Sequence, residues 1–148
     1  MKRHPALVTL SHEHHHGLRW ARKLRELDPE IPEDRLRALA SEFLEAWDSE
    51  INPHFWKEEE ILLPLHAREG ESNIPEIHQM LQQHISLRRE VLRLKEQADR
   101  TILGKLAELL TDHIRLEERE VFPRIEQDCS QELLGTINEQ LEQERSLR

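Results

Sequence analysis

One stretch of this chain occurs twice, at residues 54–64 and 113–123. Both copies have the pattern His-x-x-x-Glu-Glu-x-x-aliphatic-(Leu or Phe)-Pro. Residues four apart lie one turn apart on the same face of a helix, so each copy directs an imidazole and a carboxylate to one side. Pairs of this kind on facing helices form metal sites inside helical bundles. The repeat therefore indicates helices that pack with these two faces together.

The composition agrees with long amphipathic helices. Only 4 of the 148 residues are glycine, whereas Leu, Glu, Arg, Gln and Ala, which favour helices, are plentiful. We expect an all-α fold in one domain, 1–148. It should be an antiparallel up-down four-helix bundle over about residues 5–127, followed by a short C-terminal helix over about 130–146.

Charge and cysteine content exclude several classes of protein. The net charge of −9 argues against nucleic-acid binding, which requires a basic face. No apolar run approaches the length of a transmembrane helix, so we expect no membrane partner. The single cysteine, Cys129, permits no intrachain disulfide. We therefore expect a cytoplasmic protein, and the oligomeric state stays open.

Prolines and polar turns mark the helix boundaries. Pro5 and Pro75 are suited to the first turns of helices one and three. Pro53 lies inside helix two, expected over about 33–65, and predicts a kink just before His54. The remaining boundaries are expected at residues 28–32, at 67–73, at 99–101 and at Ser130, which can cap the last helix.

One histidine falls on the apolar face of each long helix. The histidine of helix one lies four residues after Leu10 and four before Leu18. The face of helix two is expected to continue beyond its carboxylate through Ile61 and Leu65. The histidines are His14, His54, His84 and His113, and helices two and four add Glu58 and Glu117 one turn on.

The heights of these histidines can be compared by counting. His84 lies fourteen residues before Ala98, and His113 lies fourteen residues after Asp99. In an antiparallel pair of helices joined at this point, the two imidazoles come level. We therefore expect the histidines to meet in the interior.

Buried carboxylates make a metal site the preferred interpretation. An unpaired buried carboxylate costs several kcal/mol, and bound cations remove that cost. Imidazole nitrogens and carboxylate oxygens without thiolate suit iron, manganese or zinc. Six ligands fit two ions. If Glu58 and Glu117 bridge, each octahedral ion keeps about two positions for water, dioxygen, peroxide or nitric oxide.

Some assignments have alternatives. His15 is a rival to His14 as the ligand of helix one, although the apolar face favours His14. Glu50 lies one turn before His54 and is a candidate acceptor for an imidazole N–H, although a surface position is the simpler interpretation. The second glutamates of the repeat, Glu59 and Glu118, are expected on solvated helix faces.

The order His, His-x-x-x-Glu, His, His-x-x-x-Glu resembles the hemerythrin-like HHE cation-binding domain over about residues 5–126. The stretches that carry the resemblance are Glu13-His14, residues 54–64 and residues 113–123. They are also similar to the di-iron domain of the repair-of-iron-centres proteins. The resemblance implies a four-helix bundle with a non-haem di-iron centre, in a family of oxygen carriers, sensors, iron-responsive proteins and nitric-oxide or peroxide handlers.

The chain departs from the oxygen carriers of that family in two ways. The carriers have two histidines four apart on helix three, whereas Met80 and Arg88 flank His84 at that spacing here. They also end with His-x-x-x-x-Asp, whereas the second motif here is His-x-x-x-Glu. The metal site here should therefore have fewer protein ligands than that of a carrier. This disfavours reversible oxygen storage and favours a site that reacts with the molecule it binds.

Three hypotheses follow from the sequence. The first is a di-iron protein that binds or reacts with dioxygen, nitric oxide or peroxide in redox sensing or stress response. Whether such a site turns over, as an oxidase, a peroxidase or a nitric-oxide-handling centre, stays open. The second is an iron-sensing or iron-holding module that acts through metal-dependent folding or partner binding. The third is a structural bundle without metal.

Overall fold

The computed structural model describes residues 2–146, and nearly all of them are helical. No β-strand occurs among these residues, so the expected all-α class is confirmed. We number the helices α1 to α5 in chain order. Two of them, α2 and α4, are continuous runs that include wide π-helical turns. The helices are α1 Pro5–Arg25, α2 33–66, α3 Pro75–Glu96, α4 100–128 and α5 Gln131–Ser146.

The helices begin where the local chemistry favours a start. Pro5 and Pro75 occupy the first turns of α1 and α3, where a missing N–H costs nothing. The Asp99 side chain accepts hydrogen bonds from the first backbone N–H groups of α4. At α5, the Leu133 backbone N–H donates to Ser130 Oγ at 3.1 Å, so Ser130 caps the last helix as expected.

The buried apolar side chains form two clusters at different heights. The first cluster includes Leu24, Phe43 and Leu106, and the second includes Leu7, Phe122 and other residues from the opposite end. Along each of α1 to α4, one buried histidine lies at or next to the boundary between residues of one apolar cluster and residues of the other. The order of the two clusters reverses from each of these helices to the next. The histidines therefore lie in a polar layer between two apolar ones.

Three wide turns interrupt the regular α-helical pattern of α2 and α4. Each lies just before a proline. A proline offers no N–H to the carbonyl four residues earlier, and its ring clashes with that carbonyl in an α-helix. A wider turn relieves the clash. The turns and prolines are Trp47–Ile51 before Pro53, Glu58–Leu62 before Pro64, and Glu117–Val121 before Pro123.

The wide turn after Glu58 changes which residues of α2 face the core. The expected positions Ile61 and Leu65 are only partly buried, whereas Leu62 and His66 are fully buried. In a regular α-helix, four residues overshoot a full turn by about 40°, and a wider turn absorbs the excess. Steps of four therefore stay on one face. The same spacing holds in α4 for His113, Glu117, Val121 and Ile125.

The expected buried face of α1 is wrong at Leu18. That side chain is 40% exposed, and Gly17 takes the inward position. A Cβ atom at Gly17 would lie 2.9 Å from Ile114 Cδ1 of α4. The glycine therefore lets α1 approach α4 closely, beside the histidines of both helices.

The short helix α5 covers one end of the bundle. Its buried leucines and isoleucine belong to the second apolar cluster. Its start is tied to the end of α2, since Glu69 accepts hydrogen bonds from the Ser130 backbone N–H at 2.6 Å and from the Ser130 hydroxyl at 3.0 Å. Among the described residues, none of the helices combines the length and apolar character that crossing a bilayer demands.

Candidate metal centre

Six side chains from α1 to α4 meet between the two apolar clusters. Each residue is at most 5% exposed. Their ligand atoms form two groups of four, and within each group all atoms lie within 4.8 Å of one another. Both groups contain Glu58 and Glu117. His14 and His54 complete one group, and His84 and His113 complete the other. We call these six residues the His/Glu cluster: His14, His54, Glu58, His84, His113 and Glu117.

The two carboxylates of the His/Glu cluster divide their oxygens between the groups. Glu117 Oε1 lies 2.7 Å from His14 Nε2, and its Oε2 lies 3.0 Å from His113 Nε2. Glu58 Oε2 lies 3.1 Å from His54 Nε2, and its Oε1 lies 3.2 Å from Nε2 of the fourth histidine, His84. Each carboxylate thus presents one oxygen to each group. This placement is compatible with a carboxylate that bridges two ions.

Several atoms of the His/Glu cluster lack hydrogen bonds. Both oxygens of Glu58, Oε2 of Glu117 and Nε2 of His54 are buried and have no hydrogen-bond partner. Some of these oxygens lie within ion-pair distance of imidazole nitrogens, but without the angles of a hydrogen bond. Buried carboxylate oxygens without a partner are costly, and a cation satisfies them. With nitrogen and oxygen donors and no thiolate, the cluster fits iron, manganese or zinc.

The Nδ1 atom of each imidazole in the cluster has an acceptor outside it. Such contacts fix the tautomer and the ring orientation, so that Nε2 points to the centre. Three acceptors are carboxylates and the fourth is an amide. The pairs are His14 with Glu118 at 2.7 Å, His54 with Glu13 at 2.9 Å, His84 with Glu59 at 2.5 Å, and His113 with Gln83 at 2.8 Å.

A cation accompanies each of the three outer carboxylates. Arg3 lies 3.2 Å from Glu118, Lys57 lies 2.7 Å from Glu13, and Arg88 lies 2.7 Å from Glu59. The uncharged amide Gln83 has no charge to balance. The outer contacts therefore orient the imidazoles without adding net negative charge around the His/Glu cluster.

Without metal, the cluster behaves as a network of buried ion pairs. Burial alone lowers the pKa of His14, but its hydrogen bonds with Glu117 and Glu118 raise it to about 9. Burial also opposes protonation of His84, but the nearby carboxylates of Glu117, Glu58 and Glu59 raise its pKa to about 10. For Glu118, burial raises the pKa, and the hydrogen bonds from His14 and Ser11 lower it to about 2. The raised pKa values of His14 and His84 thus favour protonation of imidazoles whose Nε2 atoms are the proposed metal donors.

One cavity reaches the cluster from the side of α1 and α2. Its volume is about 170 Å³, and it lies between α1, α2 and α4. The half-exposed side chains of His16 and Glu50 line it, as do His14 and His54 of the cluster. Neither histidine of the other group lines it. A small molecule in this cavity therefore meets the His14 and His54 group.

The structure places the rival candidates of the sequence outside the cluster. His15 is exposed on α1. The Glu50 side chain is 46% exposed, and its carboxylate lies 3.9 Å from His16 rather than against a cluster histidine. It is therefore not an outer acceptor.

Sequence reasoning missed the residues that take this outer role. Glu59 and Glu118 were expected in solvent, but each accepts a hydrogen bond from a histidine of a neighbouring helix. The Glu-Glu doublet of the repeat was the available indication. Adjacent residues in a helix point about 100° apart, so the first glutamate can face the centre while the second faces the next helix.

Comparison with known proteins identifies one family. Residues 6–125 match the family described as the Hemerythrin HHE cation binding domain, and this range includes the whole His/Glu cluster. The searches of curated proteins and of solved structures gave no match. The resemblance to the repair-of-iron-centres proteins stays a prediction. With most of its length inside this match, the chain belongs to the hemerythrin HHE cation-binding domain family.

Proposed function

We propose that this protein is a cytoplasmic, non-haem di-iron protein that binds or reacts with dioxygen, nitric oxide or peroxide, in redox or oxygen sensing or in stress response. The observation that carries the proposal is the division of carboxylate oxygens described above. Each of Glu58 and Glu117 offers one oxygen to each of two overlapping donor groups. This arrangement supports two ions bridged by both carboxylates.

The proposed ligand assignment follows the two groups. Glu58 and Glu117 bridge, and each ion takes two imidazoles. Two nitrogens and two oxygens leave about two positions of an octahedral ion for water or a small molecule. When bound, a pair of irons supplies the redox chemistry that these molecules require. Zinc and manganese are the alternative occupants of the same donors. The imidazoles pair as His14 with His54 and His84 with His113.

The surrounding fold supports a centre of this kind. We propose an antiparallel up-down arrangement of α1 to α4, which the reversing order of the two apolar clusters supports. The clusters keep bulk water from the ligands on both sides. The outer acceptors hold the imidazoles in place before any ion binds, which reduces the reorganisation that binding requires.

Metal analysis tests the proposal directly. Protein purified from iron-replete cells should contain about two irons per chain, the number that the two donor groups accommodate. Its visible spectrum should change when dioxygen or nitric oxide is added, compared with protein kept anaerobic without either gas. A protein that contains no iron, and that takes up none after chelation and anaerobic addition of Fe²⁺, refutes the di-iron proposal.

A second function is favoured by the contacts of Arg3. This residue precedes α1 and donates to the Glu118 carboxylate at 3.2 Å, to the Glu118 carbonyl at 2.8 Å and to Glu126 at 2.9 Å. Glu118 in turn accepts from His14. In this alternative, a metal bound at His14 acts through Glu118 on Arg3 in the segment before α1. An iron-sensing or iron-holding module works through a link of this kind. A large metal-dependent rise in melting temperature, without a spectral response to dioxygen or nitric oxide, supports this alternative.

A further inference from the structure

Lys57 is a buried cation beside the His/Glu cluster. The residue is 7% exposed, and it lies between His54 and Glu58 in the sequence of α2. Its ammonium group donates to both oxygens of Glu13, at 2.7 and 2.9 Å. Lysine is seldom buried, because its charge must be removed from water. Its position therefore calls for an explanation.

Lys57 also lines the cavity that reaches His14 and His54. Among the described side chains that line this cavity, it is the only lysine or arginine. The acidic groups there are Glu13, which Lys57 itself pairs, and the half-exposed Glu50, which lies 3.9 Å from His16. A molecule that reaches the cluster by this route passes the ammonium group.

Support of Glu13 alone does not explain this placement. Arg3 and Arg88 give the same support to Glu118 and Glu59, and neither arginine lines this cavity. Arg3 lines a separate, more open cavity that touches His14 but not His54. Arg3 and Arg88 pair with these carboxylates from more exposed positions, with side chains 19% and 35% exposed. Within residues 2–146, Lys57 Nζ donates hydrogen bonds only to the two oxygens of Glu13, and an ammonium group has three N–H donors. At least one donor is therefore not used by Glu13.

We propose that Lys57 is a specificity-determining residue for the small molecule that binds the His14 and His54 group. Its charge and its remaining N–H favour small anions over neutral molecules. This inference rests on the proposed function. A hydrogen bond from a charged donor in a water-poor site is stronger than one between neutral groups, so the preference should be large enough to measure.

Azide and nitric oxide serve as the anionic and neutral probes. Each is titrated anaerobically into iron-loaded protein at fixed ionic strength, with the absorption spectrum as the measurement. The Lys57→Met variant keeps an unbranched side chain that is one atom shorter and removes its charge. We expect it to weaken azide binding about tenfold or more, since hydrogen bonds to charged groups contribute roughly this factor. Nitric oxide binding should change by less than about threefold.

Two further variants separate specificity from structural support. Lys57→Arg retains a buried cation and should keep azide affinity close to that of the wild type. Arg19→Met removes one exposed cation near the cavity and should leave both affinities unchanged. If Lys57→Met does not hold iron, Lys57→Gln, which retains a donor for Glu13, replaces it in the comparison.

The outcomes distinguish this inference from the proposed function. Absence of iron in the wild type refutes the di-iron proposal itself. If the wild type holds iron and binds nitric oxide but not azide, the anion preference is wrong. The same conclusion follows if Lys57→Met weakens both probes equally, because Lys57 then acts only by supporting Glu13.

Discussion

Replacing Glu117 by glutamine tests the central feature of the cluster. The residue is fully buried, and its two oxygens lie 2.7 Å from His14 Nε2 and 3.0 Å from His113 Nε2. The other two cluster imidazoles lie within 4 Å of the same carboxylate. Burial opposes ionisation of this group, but the charge and hydrogen bonds of the histidines hold its pKa well below the usual range. The negative charge of Glu117 therefore stabilises the positive charge of several cluster imidazoles.

The expected loss of stability follows from this balance. Glutamine keeps the volume but removes the charge, which leaves protonated imidazoles buried without their partner. Breaking a buried ion pair in this way costs about 3–5 kcal/mol. In a domain of this size, each kcal/mol lowers the melting temperature by roughly 2–4 °C. Metal-free Glu117→Gln should therefore melt about 6–20 °C below the metal-free wild type.

The assay compares chelator-treated proteins by urea and thermal unfolding at neutral pH, and then measures iron after reloading. Glu117→Gln should also retain far less iron, because both donor groups lose a ligand. The exposed neighbour Glu120 provides the control, and Glu120→Gln should match the wild type in both measurements. A metal-free variant within about 1 kcal/mol of the wild type would refute the ion-pair reasoning. A variant that retains both irons would refute the bridging assignment.

Three further predictions concern other parts of the molecule. In metal-free protein, the pKa values of His14 and His84 rise from 6.5 to about 9 and about 10, so their contribution to stability is complete below about pH 6.5. It is lost as the pH rises through these values, and thermal unfolding of chelated protein should show a falling melting temperature from pH 6.5 to 10. Leu134→Ala, at the buried face of α5, should cost about 2–5 kcal/mol in urea unfolding, whereas the exposed Leu92→Ala should cost little. Metal analysis should find iron content reduced in His14→Ala but unchanged in His15→Ala.

The sequence allowed much of the helical arrangement and of the cluster to be predicted. Matched spacing from the turn near Asp99 was enough to bring His84 and His113 level, because a helix rises by a fixed amount per residue. His14 is buried in the cluster and His15 is exposed, and the apolar periodicity of α1 separates the two. Features that depend on the regular geometry of one helix could be predicted.

Features that depend on irregular turns or on neighbouring helices could not. The periodicity of α2 was extended beyond Glu58 at 3.6 residues per turn, which selected Ile61 instead of Leu62. The outer role of Glu59 depends on where the imidazole of α3 lies. The residue pattern of α2 alone carries no information on how far Glu59 lies from that imidazole.

The wide turns also determine where α2 and α4 can change in length. Each turn contains one additional residue, so losing residue 60 or 61 would restore a regular α-helix without changing which side chains beyond it face inward. Losing a residue from a regular stretch, such as the middle of α3, would instead rotate all that follows by about 100°. The helix beyond each wide turn thus keeps its inward face when one residue of the turn is lost, although the turn adjoins the metal centre.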